Sequence, residues 1–253
     1  MKSKEKYNES FIYDESSLER ETLTIEPRFG AFLQSVVGKG NRVLDVGCGT
    51  GRYTIHSQRA GNTMIGSELV HSAARGARMR GLDVIVADSE TRFPFADATF
   101  DRAQCIEVIE HMMDPVSTLR EINRVLKLGG ALFISTPNAA WWAHRLLMLV
   151  GITSFGHSPT YPVEINMHIR HFTMSTLRSF LERMGFEVIR TQGTYTGFPT
   201  ALIEYFPAIG GVLKVVGRLT GGLGFLAKQN IWPSLTSAGL VFHVRKIGDP
   251  ESE

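Results

Sequence analysis

Two cysteines in 253 residues, Cys48 and Cys105, are too few for a disulfide framework or a four-cysteine zinc site. Charge of one sign is also scarce: 27 basic residues stand against 25 acidic ones, a net of +2. No basic field advertises nucleic acid, so a nucleic-acid acceptor or partner is not expected. Long apolar runs are missing too. The longest mid-chain stretch without Lys, Arg, Asp or Glu, Leu146 to Val163, is broken by Gly151, Gly156, Pro159 and Pro162 and carries His157. It does not read as a spanning helix. The charged start Met1-Lys2-Ser3-Lys4-Glu5-Lys6 has no apolar core behind it, so a secretory signal is not expected and a cytoplasmic location is. Internal repeats and low-complexity tracts are absent. What remains, 43% hydrophobic and 21% charged residues, is the composition of a globular domain able to bury a core.

The chain alternates strand and helix patterns. A leading helical region over 1–40, with apolar residues at helical spacing from Ser16 to Gly38, is expected to break at Pro27. Strands are expected at Arg42–Val46, Thr63–Ser67, Asp83–Ala87, Arg102–Ile106, Ala131–Ser135, Phe186–Arg190 and Gly239–Arg245. Helices are expected at Arg52–Ala60, His71–Arg80, Pro115–Leu126 and Thr173–Met184. Such alternation predicts an α/β fold: a Rossmann-like, doubly wound, mostly parallel seven-stranded sheet with helices on both faces and an antiparallel last strand. One domain over 1–253 is expected, with a lid or substrate insertion at 139–172 and an apolar insertion at 194–237 between the last two strands.

The first strand runs into Asp45-Val46-Gly47-Cys48-Gly49-Thr50-Gly51, a D-x-G-x-G-x-G string. Its third glycine comes one position early for the dinucleotide pattern, and no Lys-Ser/Thr follows to cradle a triphosphate. Glycines here let the backbone approach a ligand, and the acidic strand end suits an ammonium group better than a pyrophosphate. Glu68 ends the second strand, where a ribose-binding carboxylate belongs, and Asp88 ends the third, where a carboxylate accepts from an adenine amine. Cys105-Ile106-Glu107 ends the fourth strand beside the same crevice.

Val43 to Gly51 resembles the first motif of class I S-adenosylmethionine-dependent methyltransferases. Phe93-Pro94-Phe95-Ala96-Asp97-Ala98-Thr99-Phe100-Asp101, the block Glu107 to Pro115, and Leu128-Gly129-Gly130 with Phe133 to Asn138 resemble later motifs of that family, in order. His171-Phe172-Thr173 through Gly185-Phe186 is similar to its ubiquinone-biosynthesis O-methyltransferase-like branch. The likeness spans about Arg42 to Arg190, with Leu128 in place of the usual Pro and Glu68 where Asp is frequent. It implies S-adenosylmethionine as cofactor. Asp45, Gly47, Cys48 and Gly49 would hold its methionine end, Glu68 the ribose, Asp88 and Ser89 the adenine. Glu107 and the backbone at Cys105 would line the sulfonium side, and both cysteines would stay reduced beside the crevice.

A sulfonium methyl needs mainly positioning and desolvation, with a base only for a protonated acceptor. His111 is the first candidate base, although it would equally pack the following helix; His168 ranks next for acceptor contact, and His171 reads as structural. Glu107, Glu110 and His111, with His168, would also suit a divalent ion, as in metal-dependent small-RNA and some quinone methyltransferases. Metal-free relatives carry the same Glu-His, and no metal is expected. The acceptor is expected to be a small molecule, or a glycan- or lipid-linked one, methylated most readily on oxygen. The apolar insertion flanked by Lys214, Arg218 and Lys228 leaves room for a peripheral membrane contact. The alternative is a catalytically retired cofactor-binding module.

Overall fold

The computed structural model describes residues 25–149, 151, 168–194 and 232–251. Its elements are, in order, α1 (Pro27–Val37), β1 (Arg42–Val46), α2 (Arg52–Arg59), β2 (Thr63–Glu68), α3 (His71–Met79), β3 (Val84–Val86) and β4 (Phe100–Ile106). A single 3-10 turn (Ile109–His111) precedes α4 (Pro115–Val125), β5 (Leu126–Pro137), α5 (Trp142–Leu149), α6 (Met174–Arg183), β6 (Phe186–Thr194), α7 (Pro233–Thr236) and β7 (Gly239–Lys246).

The strands form one sheet in the order β3-β2-β1-β4-β5-β7-β6. Neighbours from β3 to β5 pair in parallel, and β7 runs antiparallel to both β5 and β6. The expected architecture is therefore the observed one. Strands β1 and β4 are neighbours although β2 and β3 lie between them in sequence. The chain changes direction across the sheet there, which opens a crevice at the C-terminal strand ends.

Both faces are covered, which is why the strands read as near-continuous apolar runs. On one face Phe29, Phe32, Leu33, Val36 and Val37 of α1 pack on Val43, Met64, Ile106, Phe133 and Val241. On the other, Leu119 and Ile122 of α4 and Leu177, Phe180 and Leu181 of α6 cover Leu44, Val46, Ala103, Leu132, Ile134 and Phe242.

Local chemistry sets the helix starts. Pro27 does not break a helix; it begins one, because the first helical position needs no N–H, and the Glu26 carboxylate accepts from Phe29 N at 2.7 Å. Asp114 and Pro115 start α4 in the same way, with Asp114 accepting from Ser117 N. The other end of α4 differs from expectation. The helix stops at Val125, and Leu126 already pairs with Phe100 in a strand that runs to Pro137. An apolar Leu126 satisfies either pattern; the sheet claims it, while Lys246 Nζ donates to the carbonyls of Asn123 and Leu126.

Of the expected lid at 139–172, α5 and residues 168–172 are described, and 150 and 152–167 lie outside the described residues. Of the apolar insertion at 194–237, residues 195–231 lie outside them, as do residues 1–24 of the leading region. Pro137 pairs with Gly239, so α5 leaves and α7 arrives at the end of the sheet that holds the crevice.

Candidate active site

The glycine loop closes by backbone bonds: Gly47 N and Cys48 N both donate to Ser67 O, at 2.8 and 3.0 Å. Gly47 has φ +66, and a Cβ there would meet Val108 at 2.5 Å, so only glycine fits. Gly49 also lies in the left-handed region, at φ +54, but space opens where its Cβ would stand. A ligand can approach the backbone at Gly49, the sort of cradle a cofactor's methionine end requires.

Asp45 is buried at the end of β1, and its Oδ2 accepts from Thr54 Oγ1 at 2.6 Å and Gln104 Nε2 at 2.7 Å. Burial pushes its carboxyl up to about 7 against the pull of those two donors. Glu68, at the end of β2, is held at both oxygens: Oε2 accepts from Gly49 N and Oε1 from Val70 N, each at 2.8 Å. Its carboxyl is raised by burial despite these bonds. Asp88 Oδ1 accepts from Glu90 N at 3.0 Å, with Ser89 buried beside it. Asp45, Glu68 and Asp88 thus sit at or just past the ends of three adjacent strands, as their positions in the sequence imply.

Both cysteine side chains are buried. Cys48 packs among Ile55, Ala74, Ala77, Leu82 and Val84, and Cys105 lies within the main core. Burial holds both thiols above their usual range. Both are free, and their side chains lie in core clusters.

Past β4 the chain carries a second acidic group. Glu107 adopts φ +55, a strained conformation for a residue with a side chain, and its Oε1 accepts from Ser135 Oγ at 2.7 Å. Burial raises its carboxyl to about 7. Glu110 is 1% exposed; Oε2 meets Thr136 Oγ1 at 3.1 Å, while Oε1 has no hydrogen-bond partner among the described residues. Burial first, and then the Glu107 charge, hold Glu110 well above the carboxylate range. His111 Nε2 lies 3.9 Å from that Oε1, and the rings of His111 and His168 are 4.8 Å apart. Burial lowers the His168 ring's affinity for a proton, as does nearby His171. The carbonyl of Glu110 accepts from Ile169 N and Arg170 N, which docks the second histidine's segment beside the first. One donor atom each from Glu110, His111 and His168 lies within 4.8 Å of the others.

The structure brings the predicted residues to one end of the sheet and adds residues the sequence reading passed over. These are Thr54, Ser57 and Gln104 under Asp45, and Ser135 and Thr136 under the second acidic group. A glutamine inside the apolar run Arg102-Ala103-Gln104-Cys105-Ile106 was the available signal.

A family model described as a methyltransferase domain matches residues 23–191. A ubiquinone biosynthesis O-methyltransferase from Paracidovorax citrulli is 35% identical over 120 residues, 45% of this chain and 50% of that protein. The chain spans about half the length of the curated relatives it matches. Among solved structures, a SAM-dependent methyltransferase from Methanosarcina mazei is similar at TM-score 0.60 and 16% identity, over 88% of this chain and 99% of that one. The Burkholderia thailandensis 1,6-didemethyltoxoflavin-N1-methyltransferase, with 1,6-didemethyltoxoflavin and S-adenosylhomocysteine bound, is similar at 0.56 and 18%, over 88% and 78%. At such identities these two support the fold alone. With the family model covering more than half of its length, the chain belongs to the methyltransferase-domain family, in the Rossmann-like, S-adenosylmethionine-dependent class.

Proposed function

We propose that this chain methylates an oxygen of a small, apolar acceptor, using S-adenosylmethionine held in the strand-end crevice. The observation that carries the reading is the convergence of Asp45, Glu68 and Asp88 around an open glycine loop, with two histidines beyond the fourth strand. Asp45, Gly47, Gly49 and the Cys48 backbone hold the methionine end; Glu68 takes the ribose hydroxyls; Asp88 and Ser89 take the adenine. Glu107 and the Cys105 backbone flank the sulfonium. When bound, the cofactor supplies a methyl carbon already electrophilic enough for in-line displacement. The chain's own task is to orient the acceptor, exclude water and remove one proton. His111 accepts that proton, and His168 packs against it and keeps it in place.

A second reading has its own observation. Among the described residues Glu110 Oε1 is buried and unpartnered, with two imidazoles beside it, a donor set that suits a divalent cation. In that reading Glu110, His111 and His168 would hold an ion that would supply Lewis acidity to the acceptor hydroxyl, and His111 would be a ligand instead of a base. Full turnover after exhaustive chelation removes this second reading.

The rim supports an apolar acceptor. Leu149 is 83% exposed and Trp232 69%, on the segments that leave and re-enter the sheet at the crevice end. Such side chains favour a lipid-linked acceptor and a peripheral membrane contact. No helix among the described residues is long and apolar enough to cross a membrane. Turnover against a panel of phenolic, isoprenoid-linked and glycan acceptors tests the proposal. Binding of S-adenosylhomocysteine without turnover on any of them favours the retired cofactor-binding module.

A further inference from the structure

Gln104 is fully buried in the middle of a central strand, where a polar side chain needs partners. Its amide is held at both ends. Ser57 Oγ donates to Oε1 at 2.7 Å, and Nε2 donates to Asp45 Oδ2 at 2.7 Å. The orientation is fixed, because only the NH2 end can face a carboxylate. Thr54 and Ser57, one turn apart on α2, are both buried, and Thr54 supplies the second donor to the same Oδ2. Asp45 and Gln104 are direct partners in the β1–β4 register, so the sheet sets their spacing. Among the described residues no hydrogen bond is made to Asp45 Oδ1.

We infer that Gln104 is a positioning residue of the cofactor site: held by Ser57, it ties down one oxygen of Asp45 and leaves Oδ1 for the cofactor's ammonium group. The inference rests on the reading of the crevice as an S-adenosylmethionine site. It has an electrostatic side. Burial presses Asp45 toward its neutral form, the Glu68 charge from β2 adds to that, and the donors from Thr54 and Gln104 oppose it. The other titratable groups around it, the Cys48 and Cys105 thiols, keep their protons. Without Gln104, the ionised carboxylate that attracts an ammonium would form only at higher pH.

The test titrates S-adenosylhomocysteine calorimetrically into the full chain at pH 6.5 and pH 8.5, comparing wild type with Gln104→Met and Ser57→Ala. Gln104→Met is expected to bind about ten-fold more weakly at pH 6.5, the loss shrinking to about three-fold at pH 8.5. A loss of equal size at both pH values marks a purely structural role and overturns the inference, as does no loss at either. If Gln104→Met does not fold, Ser57→Ala carries the test. It leaves the amide in place but unanchored, and about three-fold weaker binding at pH 6.5 is expected. Wild-type affinity at both pH values then overturns the inference. A wild-type chain that binds no S-adenosylhomocysteine fails the underlying reading instead, and the inference with it.

Discussion

The two acidic regions of the crevice are built differently. On β1 and β2, Asp45 and Glu68 are tied to the fold: Asp45 Oδ2 takes two side-chain donors, and each Glu68 oxygen takes a backbone N–H. Beyond β4, among the described residues, Glu107 has one hydroxyl partner and Glu110 leaves an oxygen unpartnered beside two imidazoles. A carboxylate fixed by two donors is preorganised for a ligand that is always the same. One held by a single hydroxyl retains capacity for a proton, an ion or a variable acceptor. This difference fits the proposal that the first region retains the cofactor and the second carries the chemistry.

Substitutions can break that division, the largest effect coming from the second region. His111→Ala should lower kcat about a hundred-fold or more while S-adenosylhomocysteine affinity stays near wild type. Calorimetry beside initial rates reads the split, and a parallel fall in affinity would merge the two regions. Asp45→Asn should weaken S-adenosylhomocysteine about a hundred-fold by removing a desolvated charge partner. Glu68→Gln should cost about ten-fold, since the amide still meets hydroxyls but cannot accept at both Gly49 N and Val70 N.

A separate effect concerns stability. Asp45 titrates at about 7 in the folded chain against an ordinary 3.8, so folding favours its protonated form. That contribution is fully present below about pH 4 and is lost as pH rises towards 7. Asp45→Asn, which mimics the protonated form, should match wild type near pH 4 and exceed it by pH 8, by on the order of 3 kcal/mol. Thermal melts across that range check the sign. A variant less stable at pH 8 would mean that Asp45 is not held at the expense of stability.

The first region was largely legible from sequence because its constraints are local. The D-x-G-x-G-x-G string encodes its own turn, and Glu68 and Asp88 follow short apolar runs that can only be strands. The second was legible in composition but not in assembly. Nothing near His111 in sequence says that Ile169 and Arg170 will donate to the Glu110 carbonyl and bring His168 alongside. The Gln104 relay was hidden for the same reason, since its partners lie 47 and 59 residues away and depend on the β1–β4 register. The boundary between α4 and β5 was misplaced because an apolar Leu126 fits a helix face and a buried strand equally well.

The most direct test of this division is a calorimetric titration of S-adenosylhomocysteine into the chain and its His111→Ala/His168→Ala variant. Equal, saturable binding by both is the predicted result. Loss of binding in the variant, or none by the wild type, would contradict a cofactor site built on Asp45 and Glu68 and separate from the histidines.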